Sequence, residues 1–313
     1  MKSINTNFEF VPKNTVLRNC GVNQRPGEFR NIDYLTRDIK EPTFLMLGIS
    51  EWIGPFANYG RPGADRAFAA FLSYFLPQPN SKQSFDLLGN IEFTGVFPNT
   101  IEQAGLMVEE LDALVERVLT EMLEPYQIPI VIGGGHNNAL PLLRWAHAQR
   151  KVVQNLNFDA HFDCRKPGLR HSGNAFSTAI HEGILQKYSV LGIDTYAMND
   201  YIRTFVNEYH VSFVPHTEYL LGRGLLEDVA KVIPQNSPVG LDIDVDCIEN
   251  MPSSAQSPSG FTLNQLRQVV LSLKKSPIAY MHLCEGAPTN PAEERTLGKA
   301  LSFLVLDFLT AME

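Results

Sequence analysis

From about Phe44 to the C-terminus, short apolar runs alternate with longer stretches of helical period, and no other feature constrains the fold of this chain as much. An apolar run without a polar face is buried on both sides, and helices are what cover the two faces of such a strand. The runs Phe44 to Gly48, Ile128 to Ile132, Val152 to Phe158, Ser189 to Ile193, Val211 to Val214, Val239 to Ile243 and Ile278 to Cys284 read as strands. Helices are expected near Asp65 to Leu76, Ile101 to Leu123, Asn138 to Gln149, Asp200 to Tyr209, Gly224 to Ile233, Leu263 to Lys274 and Glu294 to Ala311. In the second of these, Leu106, Leu111, Leu114, Val115, Val118 and Met122 recur at helical spacing, which leaves an acidic opposite face for solvent. The fold class is therefore α/β, with helices on both faces of a mostly parallel sheet.

No internal repeat, low-complexity tract or Pro/Gly/Ser linker divides these units. Residues 1–313 are expected to form a single α/β domain. An irregular N-terminal segment of about 40 residues would cover a sheet edge or a neighbouring subunit. The 44% of apolar residues suffices for a sizeable core. A net charge of -8 and the lack of any Lys/Arg run argue against nucleic acid as a partner. The four cysteines, Cys20, Cys164, Cys247 and Cys284, are too few for a disulfide scaffold. There is no apolar signal core at the N-terminus and no run approaching the ~18 apolar residues of a membrane helix. A soluble protein of the cytoplasm, with no membrane partner, is expected.

In sheets of this class ligands collect past the carboxyl ends of the strands, and three such ends carry metal-binding residue types. The strand ending at Phe158 runs into Asp159-Ala160-His161-Phe162-Asp163, whose i, i+2, i+4 spacing aims two carboxylates and an imidazole at one point in extended backbone. The strand from Val239 supplies Asp242 and Asp244 on alternate positions, with Asp246 following as either a supporting residue or part of a solvated loop. The strand from Ile128 leads through Gly133-Gly134-Gly135 to His136. Four carboxylates and two imidazoles form a hard oxygen and nitrogen set suited to Mn²⁺, and four negative charges balance two dications. Any one of these acids alone would read as a cap or a turn residue. Three strand ends carrying the same pattern read as a two-metal site. A dinucleotide loop is contradicted by Asn138 at the third glycine position, and neither a G-x-S-x-G elbow nor a Walker lysine motif is present.

The ordered set Gly133-Gly134-Gly135-His136, Asp159-Ala160-His161-Phe162-Asp163, Ser172-Gly173-Asn174 and Asp242-Ile243-Asp244 resembles the ureohydrolase superfamily of arginases, agmatinases and formimidoylglutamases. Asn58-Tyr59-Gly60-Arg61-Pro62-Gly63-Ala64 looks like its N-x-G-R-x-G-A segment, and Glu285-Gly286-Ala287-Pro288 like its E-x-x-P segment. The resemblance implies an arginase-like three-layer α/β/α fold with a mostly parallel sheet of about eight strands. It implies one manganese on His136, Asp159, Asp163 and Asp242 and another on Asp159, His161, Asp242 and Asp244. The pair would activate a water against an amidine or guanidine carbon. Asp163 would guide the proton to the leaving amine, and Glu285 would pair with the amidinium. Trimers or hexamers are implied as the assembly.

Two departures bear on the substrate. Gly135 stands where arginases carry Asp, and Phe176 where they carry a proton-shuttling His. The triple glycine, Arg165 after Asp163-Cys164, and Phe176 resemble formimidoylglutamase features, although threonine is more usual there than Asn174. A substrate with two carboxylates needs cation, hydroxyl and amide donors, for which Arg165, Ser172 and Asn174 are the candidates, and His171 is the candidate replacement shuttle. N-formimidoyl-L-glutamate hydrolysis is thus the expected reaction. An agmatinase or guanidino-acid hydrolase and a non-catalytic regulatory relative are the alternatives.

Overall fold

The computed structural model describes residues 7–21, 27–80, 84–233 and 237–312. Among them runs one nine-stranded sheet. Its strands are β1 (Phe8–Pro12), β2 (Phe44–Ser50), β3 (Phe85–Phe93), β4 (Ile128–Ile132), β5 (Gln154–Phe158), β6 (Lys187–Ile193), β7 (Ser212–Pro215), β8 (Val239–Asp244) and β9 (Ile278–Cys284). The spatial order is β1-β3-β2-β4-β9-β8-β5-β6-β7, and every pairing is parallel except that of β1 with β3.

Strand periodicity sorts side chains between the two faces. Phe44, Met46, Ile130, Ile132, Leu156, Phe158, Leu241, Ile243, Met281 and Leu283 join one apolar core, beneath the helices Ala67–Phe75, Leu263–Ser272 and Pro291–Met312. The other core lies under the helices Ile101–Met122, Ala139–Arg150 and Ala175–His181 and takes Leu45, Leu47, Ile49 and Val131. On that second face the central strands change character. Asn155 and Asn157 of β5, Asp242 and Asp244 of β8, and Tyr280 and His282 of β9 are all buried there. A polar layer therefore leads up to the carboxyl ends of the middle strands.

The nine-stranded, mostly parallel sheet agrees with the expected α/β fold of about eight strands. One expectation needs correction, because the N-terminal segment is not irregular throughout. It contributes β1 and the short helices Lys13–Arg18 and Asn31–Leu35. β3 escaped notice because Asp86, Gly89, Asn90 and Glu92 interrupt its apolar pattern, as an edge-proximal strand permits. Gly89 is required there, because a Cβ would lie 2.2 Å from the Val11 carbonyl oxygen of the added strand.

Candidate metal centre

Three strand ends meet at His136. After β4, Gly133 and Gly134 adopt φ of 95° and 68°, the left-handed region that glycine tolerates, and the turn buries the His136 imidazole completely. Its Nδ1 lies 2.9 Å from Asp163 Oδ2, 3.2 Å from Asp159 Oδ2 and 3.3 Å from Asp244 Oδ2. None of these contacts has hydrogen-bond geometry, so Nδ1 is a buried nitrogen without a hydrogen-bond partner among the described residues. One nitrogen facing three carboxylate oxygens in this way is an arrangement that a hard dication completes. Beside it, His161 Nδ1 stands 2.9 Å from Asp246 Oδ2 and 3.5 Å from Asp159 Oδ1. Asp159 belongs to both groups.

Asp242, expected as the second bridge, sits deeper. It pairs in register with His282 inside the sheet. Its Oδ1 lies 2.8 Å from His282 Nδ1, and its Oδ2 accepts from the Tyr280 hydroxyl at 3.0 Å and the Asn155 amide at 2.5 Å. The alternation is thus used one step further along: Asp244 and Asp246 face the groups above, and Asp242 lies behind His136.

The electrostatics are those of a cluster that needs cations. Burial, reinforced by the charges of Asp246 and Asp159, pushes the Asp244 carboxyl well above its ordinary range, and burial with Asp159 raises Asp163. Burial also works against ionised Asp159, but the His136 and His161 imidazoles outweigh it and hold that carboxyl at about 2. Asp159 is fixed further by the Asn157 amide at 3.0 Å and the His161 backbone N–H at 2.6 Å.

Glu285 follows β9 in a left-handed conformation at φ 62°, with its backbone N–H donating to the Gly134 carbonyl at 2.9 Å. Its Oε1 accepts from the His136 N–H at 2.8 Å and its Oε2 from Ser254 Oγ at 2.8 Å. Burial raises its carboxyl to about 7. Arg61 donates to the carbonyls of Ser253 and Ser254, which ties the Asn58–Ala64 loop to this corner. A cavity of about 280 Å³ opens above, reaching His161, Asp163, Asp244, Asp246 and Glu285 at its floor and Asn58, Arg165, Ser172 and Asp194 on its walls.

The remaining candidates divide. Arg165 is an exposed cation on the cavity wall, and Ser172 Oγ accepts from the Asn58 amide at 3.3 Å. Asn174 does not line the cavity. Its Oδ1 accepts from Arg170 and the His171 N–H, and its Nδ2 donates to the Leu169 carbonyl at 2.9 Å. His171 is also outside the lining. Its Nδ1 accepts from the Gly173 N–H at 3.1 Å, and burial with the charges of Arg165 and Arg170 lowers it to about 4. A proton shuttle near neutral pH needs a different group.

The chain matches the arginase family model over residues 57–307. The chain belongs to the arginase family. It is thereby a hydrolase acting on C–N bonds of linear amidines. It is 27% identical to a formimidoylglutamase of Streptococcus gordonii over 236 residues, 70% of this chain and 69% of that protein. Alignments to other curated formimidoylglutamases span 64% to 66% of their lengths. The fold is similar to that of Trypanosoma cruzi formiminoglutamase with Mn²⁺, with a TM-score of 0.73 at 21% identity over 91% of this chain and 100% of that one. It is similar also to the formimidoylglutamase from Bacillus subtilis, with a TM-score of 0.78 at 15% identity over 94% of this chain and 95% of that one.

Within this arginase-family chain the two sequence departures have physical reasons. A Cβ at Gly135 would lie 2.4 Å from Pro55 Cδ and 2.5 Å from Asn137 Oδ1, so the Asp that arginases carry has no room. Phe176 is buried, edge-on to His136 at 5.0 Å and stacked on Tyr188 at 4.3 Å, so its position is packing rather than proton transfer. Sequence reasoning left Asp246 open and missed Glu51, which lies just past β2. Glu51 accepts from the Gly135 N–H at 2.9 Å and the Gly54 N–H at 2.9 Å and so fixes the His136 turn. A lone acid past a strand carries no sequence signal for that role.

Proposed function

We propose that this chain, folded as a single arginase-like domain over residues 1–313, is a two-manganese hydrolase that converts N-formimidoyl-L-glutamate and water to L-glutamate and formamide. The observation that carries this reading is the partnerless His136 Nδ1 within 3.3 Å of three carboxylates. The similarity to formimidoylglutamases points to the substrate. His136, Asp159, Asp163 and Asp244 would hold one ion, and Asp159, His161 and Asp246 the other. Two dications held by these residues would supply the means to lower the pKa of water at neutral pH and to polarise the reacting carbon.

The chain's own residues bind, orient and move the proton. Glu285, fixed by His136 N–H and Ser254, presents a carboxylate edge to the cavity that pairs with the amidinium and sets its carbon over the acidic floor. Asp163, shared between that floor and the His136 group, takes the proton and returns it to the leaving amine. Arg165, with Asn58 and Ser172 beside it, receives a carboxylate of the glutamate portion. The family resemblance supports a homo-oligomer, a trimer or hexamer, and the four cysteines fit a reducing cytoplasm. One observation favours a second reading: Asp194, an exposed carboxylate on the cavity wall, suits an ammonium tail such as that of agmatine.

Elemental analysis after Mn²⁺ loading, followed by product assays with formimidoylglutamate, agmatine and arginine, tests both. Bound manganese with formamide release is expected, and Arg165→Ala should lower kcat/KM for formimidoylglutamate about 10- to 100-fold, through KM. Urea release from agmatine that survives Arg165→Ala would replace the first reading by the second. Protein that takes up no ion sinks both.

A further inference from the structure

Behind His136, on the side away from the cavity, lies a second polar cluster to which the reaction above assigns no part. Asp242, fully buried, spends Oδ2 on Tyr280 and Asn155 and Oδ1 on His282. The same Oδ1 faces His136 Nε2 at 3.7 Å, and Nε2 has no hydrogen-bond partner among the described residues. We infer that Asp242 is a positioning residue rather than a metal ligand: its carboxylate, fixed from three sides, keeps the His136 proton on Nε2 and turns the Nδ1 lone pair toward the metal centre.

A neutral imidazole has one N–H and one lone pair, so a ring that ligates through Nδ1 must carry its proton on Nε2, and an anionic acceptor there selects that tautomer. Asp242 is the carboxylate that faces Nε2. The Cys284 thiol is close by as well, but it is a weaker acceptor and is directed to the Ile243 carbonyl at 3.8 Å. The chain repeats the device one strand pair away. There Asn157 donates to Asp159 at 3.0 Å, so each of the two buried acids is held by an asparagine of β5, although the neighbouring Tyr188 hydroxyl accepts from Asn157 and donates to the Phe162 carbonyl rather than to Asp159. Asn155 and Asn157 lie two apart on β5, and Tyr280 and His282 two apart on β9, so strand geometry alone places these groups on one face.

This inference rests on the assignment of His136 as a ligand, and Mn²⁺ titration separates the two. Binding would be followed by calorimetry and by ion content at saturation for the full-length wild type, Asp242→Asn, Tyr280→Phe and Asp246→Asn, each checked by circular dichroism. Asp242→Asn is expected to hold as many ions as the wild type but about 10- to 100-fold more weakly. Asp246→Asn should hold one ion fewer. Tyr280→Phe keeps the ring, removes one donor to Asp242, and should weaken binding by a smaller factor without changing the ion count. Loss of an ion at saturation in Asp242→Asn makes Asp242 a ligand and overturns the inference, as does unchanged affinity. Should Asp242→Asn fail to fold, Tyr280→Phe decides: unchanged affinity overturns the proposal. A wild type that binds no ion strikes down the ligand assignment itself.

Discussion

His171 shows how one backbone hydrogen bond removes a residue from the chemistry its sequence position suggests. Its Nδ1 must keep a lone pair to accept from the Gly173 N–H, and burial beside Arg165 and Arg170 opposes a second proton, which together bring it to about 4. The unfolded chain takes up that proton near pH 6.5. Between these values the unfolded state binds more protons than the folded one, so His171 contributes stability above pH 6.5 that is lost as pH falls toward 4. Urea midpoints of wild type and His171→Gln, measured at pH 7.5 and at pH 5, should therefore converge or cross on acidification, with the variant losing less. Parallel losses would mean that His171 titrates normally and would return it to the list of proton carriers. Turnover at neutral pH should change little in the same variant, since the ring lies outside the cavity lining.

Strand register decides at the next scale what residue identity leaves open. Gly240 pairs with Tyr280 across β8 and β9, and a Cβ there would lie 2.5 Å from the tyrosine Cζ and hydroxyl oxygen. Gly240→Ala should therefore push Tyr280 off Asp242, lower stability by about 1–3 kcal/mol in urea melts and weaken Mn²⁺ binding, whereas an unchanged midpoint would show that the ring moves freely. The same register explains what was legible beforehand. Apolar runs at Ile128 to Ile132 and Ile278 to Cys284 announced their strands, and Asp/His spacing past the strands announced a metal centre. The choice among Asp242, Asp244 and Asp246 was not legible, because all three alternate onto one side and only the pairing of Asp242 with His282 reveals which lies too deep. β1 and β3 were lost for a related reason: β1 is the edge strand, and the polar Asp86 and Asn90 of β3 are matched by Lys13 at 2.8 Å and Ser50 at 3.0 Å, contacts that have no local signature.

Across the whole molecule, both faces of the sheet carry an apolar core, and on one of them the central strands add a polar layer that the described residues leave incompletely satisfied. Among the described residues, His136 Nδ1, Asn155 Oδ1, Asn157 Oδ1 and His282 Nε2 are buried without hydrogen-bond partners, and the acids at the top of the layer repel one another. Such a layer is costly until its charges are matched, so metal binding and folding should be coupled. An ion that binds only the folded state stabilises it by about 4 kcal/mol at a thousandfold excess over Kd, which in a chain of this size raises Tm by roughly 6 °C. Calorimetry with Mn²⁺ and with EDTA should show a rise of that order. The gain should be larger at pH 8 than at pH 6, because the ligands must shed protons to bind. Identical melting in Mn²⁺ and in EDTA would mean that the polar layer is stable by itself, and the centre would then have to be read as a folded feature to which metal is incidental.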